Sequence, residues 1–395
     1  MHVVYVCADP GVPVFGTKGA SLHLQEVVRV LTRTFGHRVT VIAARKGTRP
    51  PQDLTDIPVL TLPSAAGRDA AAREQAARLA AAAVPGLIAD AEATNGPAGL
   101  VYERYSLWST GGMRAAAARG ILGVLEVNAP LIDEQARHRH LHDRAGAEEV
   151  ARTVFTDAAA VIAVSQSVAE WVRSRVATPS RVHVVPNGVD PDRFRPRTIP
   201  PRRTFTVGFV GSLKPWHGVD LLVEALCRMD SDARLLIVGD GPELQTLHRA
   251  AQPLGARAVF TGALLPAAVP AALAQMDVTV APYPRAEAYF SPLKVFEYMA
   301  AGTAVVASAV GQLPSVIEHE RTGLLVPPGE MEALVAAIVA LRDQPALRRA
   351  YGAQARRVVC ERHTWAQVVG RIFDLAGVRT QQVVTLPADE RVMGR

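Results

Sequence analysis

The sequence predicts an α/β protein of two domains, each built on a parallel sheet covered by helices, and three observations carry that expectation. Short β-branched runs alternate with longer amphipathic stretches along most of the chain, which is the rhythm of βαβ units. The rhythm comes in two blocks, parted at 191–203 by a stretch rich in Pro and Arg where regular structure is least expected. The length of 395 residues is enough for two domains, each with its own core.

Taken in order, the candidate strands of the first block are 2–8, 38–44, 99–104, 123–128, 160–165 and 182–187, and those of the second are 205–211, 234–240, 258–262, 278–283, 304–308 and 323–327. Residues 65–93 are so rich in alanine that they read as surface or packing helix, interrupted at Pro85 and Gly86. The expected division is a first domain over 1–190, a linker over 191–203, a second domain over 204–365, and a closing helix and polar tail over 366–395. Open parallel sheets bind ligands beyond the carboxyl ends of their strands. Two such domains facing a cleft would therefore carry their site on strand-to-helix loops.

Composition excludes several classes. Hydrophobic residues make up 49%, charged residues 20% and aromatic residues 5%, so the chain is neither disordered nor fibrous. Cys7, Cys227 and Cys360 fit neither a disulfide framework nor a zinc spacing, which points to a reducing, cytoplasmic compartment. The N-terminus lacks a basic signal-peptide start and no long uncharged apolar run follows, so a secreted or membrane-spanning protein is not expected. The excess of 43 Lys and Arg over 37 Asp and Glu, a net charge of +6, suits phosphorylated ligands but decides nothing alone. Few aromatics and no nucleic-acid-binding signature argue against a nucleic-acid partner. In RHRHLHD, the alternating His138, His140 and His142 scatter around a helix axis, so no metal site is expected. The oligomeric state is left open between monomer and homodimer.

Four loops carry chemistry. The first has Gly16, Gly19 and Ala20 ahead of a helix, which lets backbone N–H groups meet an anion, with a tight structural turn as the alternative. The second has Gly211, Lys214 and Gly218 opening the second block, where Lys214 either meets a diphosphate or is an ordinary surface lysine. The third, Gly239 to Pro242, is either a ligand loop or a well-capped turn. The fourth is the most informative: Ser291, Pro292, Leu293 and Lys294 lead into a short helix bearing Glu297. Backbone donors and Lys294 suit a pyrophosphate, and Glu297 suits ribose hydroxyls, as a nucleotide sugar requires. In the first block Glu103, Arg104, Tyr105, Glu126, Asp133 and Glu134 are expected on loops, where gathered carboxylates favour an amine-bearing ligand; internal ion pairs are the alternative.

Five stretches in register, VVPNGVDPDRF, VGSLKPWHGVD, LLIVGDGPE, SPLKVFEYMAAGTAVVAS and RTGLLVPPGE, resemble the retaining glycosyltransferases of family 4, which have the GT-B fold of two Rossmann-like domains around a central cleft. The resemblance covers nearly the whole chain and implies a first domain for the acceptor, a second for the nucleotide sugar, closing helices that return to the first domain, and no metal or other cofactor. It places Glu297 at the second glutamate of the family's Glu, seven residues, Glu signature. The first glutamate's position holds Tyr289, with Glu287 nearby. The family's phosphate-binding arginine and lysine fall on Ser212 and His217, and Lys214 and Lys294 are the expected replacements. Where the family often has a histidine at the end of a first-domain strand, this chain has Glu126 and Asn128. Leu264, Phe290 and Tyr289 complete the expected donor site. The resemblance implies transfer of a hexose or N-acetylhexosamine, expected from UDP-N-acetylglucosamine or UDP-glucose, to a hydroxyl of a small polar acceptor. An aminocyclitol, as in aminoglycoside antibiotic assembly, is the expectation. Lys214, Lys294 and Asn128 are the expected catalytic residues. The alternatives are a nucleotide-sugar epimerase, an inactive homologue, or transfer to inositol phosphate or an envelope glycolipid.

Overall fold

A computed structural model describes residues 1–64, 66–196, 204–229, 231–285, 289 and 291–378. The chain divides into two units, the first made of Met1–Val164, Val168–Val185 and the described residues from Trp365 onward, the second of Ser165–Ser167 and Pro186–Thr364.

The first unit holds seven strands: β1 (His2–Cys7), β2 (Arg38–Ala43), β3 (Val59–Thr61), β4 (Ala98–Arg104), β5 (Leu122–Val127), β6 (Ala160–Ala163) and β7 (Val182–Val184). All pair in parallel, in the order β3-β2-β1-β4-β5-β6-β7. Helices cover both faces of such a sheet, so its strands are apolar on both sides. HVVYVC in β1 is buried throughout, and His2 is tolerated there because its ring pairs with the Gly96 carbonyl at 2.8 Å and the Thr40 hydroxyl at 3.0 Å. The sequence reading missed β3, a three-residue strand at the sheet's edge.

The second unit holds β8 (Thr206–Val210), β9 (Arg234–Val238), β10 (Ala258–Phe260), β11 (Val278–Ala281), β12 (Ala304–Ser308) and β13 (Leu324–Val326), again all parallel, in the order β10-β9-β8-β11-β12-β13. In each sheet the strand order reverses beside the first strand, between β1 and β4 and between β8 and β11. That reversal opens a crevice at the carboxyl ends where a ligand fits.

Two boundaries differ from expectation. The alanine-rich stretch breaks at Ala82 and Ala83, between helices Ala70–Ala81 and Val84–Asn95. Pro85 lies in the first turn of the second helix, where its missing N–H costs nothing. The second unit begins at Pro186 because the chain after it packs into that unit's core. Val189 and Phe194 are buried there, and the Arg356 guanidinium donates to the carbonyls of Pro191, Phe194 (2.7 Å) and Ala300. The rest of the expected linker, 197–203, lies outside the described residues. Helix Trp365–Leu375 belongs to the first unit, where Phe373 lies 5.5 Å from the Phe35 ring and Trp365 meets the His23 ring edge-on at 4.8 Å.

Candidate active site

Close backbone contacts shape the crevice of the second unit. At the end of β8, Gly211 takes φ +148° and donates its N–H to the Val238 carbonyl at 2.9 Å. At the end of β9, Gly239 takes φ +146°, and a Cβ there would lie 1.9 Å from the Gly211 carbonyl oxygen. Gly218, which opens helix Val219–Arg228, approaches the Pro282 carbonyl just as closely. Only glycine permits these approaches, and they draw the loops after β8, β9 and β11 together.

Lys294 enters this crevice from helix Leu293–Ala300. Its Cε and Nζ would each lie 3.1 Å from a Cβ at Gly211, and its ammonium sits 4.5 Å from the Phe209 ring centroid and 5.6 Å from that of Tyr283. Nζ is buried and has no hydrogen-bond partner among the described residues. Burial pushes its pKa down to about 7, against the opposing pull of Glu297 one turn along the helix. The neighbouring His217 stands 6.0 Å from the rings of both Phe209 and Tyr283. Burial, then Lys294, drives its pKa down to about 3, so it is neutral. Its Nδ1 lies 2.5 Å from the Ser212 carbonyl, which can only accept, so Nδ1 carries the proton. Lys214 is half-buried, with its ammonium 5.7 Å from the Trp216 ring.

The helix that carries Lys294 and Glu297 is held at its start and its side. Asn187 donates its backbone N–H to the Ser291 hydroxyl at 3.0 Å and its side-chain amide to the Ser291 carbonyl at 2.9 Å. The Tyr298 hydroxyl accepts from the Val210 N–H at 2.8 Å and donates to the Val210 carbonyl at 3.1 Å, fixing the helix to β8. Pro292 precedes the first turn and no side chain caps it. A buried cation without a hydrogen-bond partner among the described residues, beside first-turn amides that no side chain caps and a glycine-built backbone at a switch point, is suited to an anion. Leu264 is half-buried against the unit's core, and the Tyr289 carbonyl accepts from the Ser165 hydroxyl. Phe290 and Glu287 lie outside the described residues.

In the first unit, Gly16 packs tightly against Ser21 and Pro13, and Gly19 begins helix Gly19–Arg29, whose first turn has no side-chain cap. The expectation that the acidic residues line loops is corrected. Glu103 lies in β4, buried, where it accepts from the Ser109 hydroxyl at 2.7 Å and the Met113 N–H at 2.9 Å. It thereby serves helix Gly111–Arg119, and burial raises its pKa to about 7. Glu126 lies in β5, also buried. It accepts from the Tyr102 hydroxyl at 2.6 Å and from Asn128 Nδ2 at 2.8 Å, and His23 Nε2 is 2.5 Å away. Burial alone would raise its pKa, but His23, Arg104 and these bonds carry it down to about 2.

Asp133 and Glu134 stand in the first turn of helix Leu131–His138. Asp133 is taken by the Trp171 indole at 2.8 Å and by Arg144 at 2.6 Å. Tyr105 is buried between Phe155 and Trp171. Arg104, half-buried at the end of β4, keeps one buried guanidinium nitrogen without a partner among the described residues. Sequence reasoning missed His23, Tyr102 and Asn187, because each acts through a partner distant in the chain.

Two family models divide the chain between them. Residues 17–193 match the model described as Glycosyltransferase Family 4, and residues 204–344 match the one described as Glycosyl transferases group 1. The chain belongs to the family 4 glycosyltransferases.

The chain is 32% identical over 233 residues to the phosphatidyl-myo-inositol mannosyltransferase of Mycolicibacterium smegmatis, covering 56% of this chain and 59% of that one. It is 30% identical over 214 residues to the 2-deoxystreptamine glucosyltransferase of Streptomyces kanamyceticus, covering 50% and 54%. The chain thus spans a little over half the length of these curated relatives. Among solved structures it is similar to Anabaena HepE in complex with UDP, with a TM-score of 0.74, 21% identity and coverage of 96% and 100%. It is also similar to sucrose-phosphate synthase from Thermosynechococcus elongatus, with a TM-score of 0.72, 21% identity and coverage of 95% and 98%. Both establish the GT-B fold for its two parallel-sheet units. Among the described residues, no group of three or more His, Cys, Asp or Glu is placed to hold a metal ion, and no helix is long and apolar enough to cross a membrane.

Proposed function

We propose that this glycosyltransferase moves a hexose or N-acetylhexosamine, with retention at the anomeric carbon and without a metal, from a nucleotide diphosphate sugar to a hydroxyl of a small polar acceptor. The observation that carries this reading is the buried, unpartnered ammonium of Lys294, set against Gly211 where the second sheet reverses its strand order. As the sugar–phosphate bond breaks, negative charge grows on the leaving diphosphate. Lys294, Lys214 and the backbone amides of Ser291 and Leu293 are preorganised donors for that charge, worth most where water is excluded. The amides after Gly16 and Gly19 are the first unit's own candidate donors. His217 is neutral and its single N–H is given to the Ser212 carbonyl, so it offers the diphosphate neither charge nor a hydrogen bond and serves to hold the loop. Glu297 takes the ribose hydroxyls. The departing phosphate oxygen accepts the proton of the incoming hydroxyl on the same face, which leaves the anomeric configuration retained.

The donor we favour is UDP-N-acetylglucosamine or UDP-glucose, with GDP-mannose, named in the M. smegmatis GDP-mannose-dependent alpha-mannosyltransferase (38% identical over 202 residues), as the competitor. For the acceptor, an aminocyclitol is supported by the likeness to the 2-deoxystreptamine glucosyltransferase. The first unit's acids add nothing to it, because Glu103, Glu126 and Asp133 already have partners. A second reading, an inositol phosphate or phosphoinositide acceptor, is favoured by the unpartnered Arg104 nitrogen and by the likeness to a phosphatidyl-myo-inositol mannosyltransferase. Each donor is to be incubated with 2-deoxystreptamine, myo-inositol 1-phosphate and vesicles containing phosphatidylinositol, and the products weighed by mass spectrometry. A glycosylated diamine supports the first reading, and a glycosylated inositol compound replaces it with the second. Donor epimerised or untouched in every mixture overturns both.

A further inference from the structure

We infer that Glu126 is a positioning residue, which holds the Asn128 side chain with its amide nitrogen inward and its carbonyl oxygen outward, as the acceptor for a substrate hydroxyl at the carboxyl end of the first sheet. This rests on the transferase reading above, with Asn128 as the residue that touches the sugar or the acceptor.

The geometry is specific. Glu126 is 2% exposed and is approached by side chains from three elements. Oε1 lies 2.8 Å from Asn128 Nδ2, on the loop after β5, and 2.5 Å from His23 Nε2, on helix Gly19–Arg29. Oε2 receives the Tyr102 hydroxyl of β4 at 2.6 Å. These neighbours are themselves held. His23 abuts the edge of Trp365 at 4.8 Å, and Tyr102 stacks on Tyr5 at 5.2 Å with 16° between the rings. The charged and titratable groups facing the carboxylate are therefore His23, Tyr102, Tyr5 and Arg104.

An ionised carboxylate only accepts hydrogen bonds, and Glu126 stays ionised because its pKa is held at about 2. Turning the Asn128 amide over would set its carbonyl oxygen against Oε1, acceptor against acceptor. The orientation of Asn128 is thus dictated by charge, which turns its Oδ1 away from Glu126. A neutral residue could fill the same space without the cost of burying a charge. What the carboxylate adds is a fixed direction for Asn128.

The test exchanges the two functional groups. Glu126→Gln supplies an amide that no longer dictates the direction of Asn128, and kcat should fall about 10-fold or more with the donor KM little changed. Asn128→Asp places two carboxylates side by side, so the new acid's pKa rises and kcat should gain a limb that falls with increasing pH, absent from the parent. The double variant restores one amide and one carboxylate with an oxygen facing outward, and should recover kcat to within about threefold of the parent. Rates are read as nucleotide release from UDP-glucose, UDP-N-acetylglucosamine and GDP-mannose. An unchanged kcat in Glu126→Gln, or a double variant whose losses multiply, overturns the inference.

If the parent releases nucleotide from none of these donors, the transferase reading fails. The positioning claim is then decided on the unmodified chain labelled with 15N-asparagine, with the Asn128 signals assigned by their loss in Asn128→Asp. Slow hydrogen exchange at the Asn128 side-chain amide supports it, and free exchange overturns it. The same measurement decides the matter if Glu126→Gln does not fold.

Discussion

Replacing Lys294 by Met should stabilise this protein while removing nucleotide binding. The magnitude follows from burial. The lysine's pKa falls from 10.5 to about 7 in the folded chain. At 1.36 kcal/mol per pKa unit, that corresponds to ~5 kcal/mol if the whole shift is expressed in folding. The side chain as a whole is only half-buried, which reduces the expected cost to about 2 to 3 kcal/mol. The sign is fixed by proton counting. Between pH 7 and 10.5 the unfolded chain holds a proton at this amine that the folded chain has lost, so parental stability rises with pH and the penalty is greatest below pH 7. Met keeps the contacts with the Phe209 and Tyr283 rings and carries no charge. Urea unfolding at pH 6.5 should therefore show Lys294→Met more stable by about 2 to 3 kcal/mol, with the gain shrinking below about one third of that by pH 9.5. Calorimetry with UDP and GDP should show binding lost. A variant less stable than the parent at pH 6.5, or a gain equal at both pH values, would refute the reasoning.

Two further outcomes are expected. Glu297→Ala should weaken nucleotide-sugar binding by about 2 to 3 kcal/mol, the range for charge-assisted hydrogen bonds, and unchanged affinity in calorimetry would remove Glu297 from the ribose site. Glu103, with its pKa raised by burial from 4.5 to about 7, binds a proton in the folded chain that the unfolded chain has lost. It should cost stability as pH rises from 4.5 to 7, by about 2 to 3 kcal/mol. Glu103→Gln should flatten that part of the stability profile, and an unaltered profile would show that Glu103 does not titrate there.

Much of this architecture is legible in the sequence, because period and composition are local. Twelve strand runs are expected, from 2–8 through 323–327, and each overlaps an observed strand, since a doubly covered parallel strand is written as a continuous apolar run. The edge strand β3 was not legible, because Val59–Thr61 is too short to show a period. The acids show the other limit. YERYS and LEVNA look like strand ends opening into loops, and nothing near them announces that Glu103 would be claimed by a helix start ten residues on. Nor does anything announce that Glu126 would be claimed by His23, about a hundred residues earlier. The same holds for the linker, where an Arg- and Pro-rich composition hides a buried anchor, Phe194. On the donor side, Lys294 was legible from its motif. Its Phe209 wall and its contact with Gly211 come from β8 and the residue that ends it, more than eighty residues away, and only the fold brings them together.

The measurement that bears most directly on glycosyl transfer is proton NMR of the anomeric signal in a running reaction. An α-configured UDP- or GDP-sugar is mixed with the full chain and an accepting aminocyclitol or inositol phosphate. The donor's anomeric signal should decay while a new signal with the small coupling of an α-glycoside grows in equal amount. A β-glycoside, or a donor signal that persists or shifts to an epimer with no new glycosidic proton, would contradict the account.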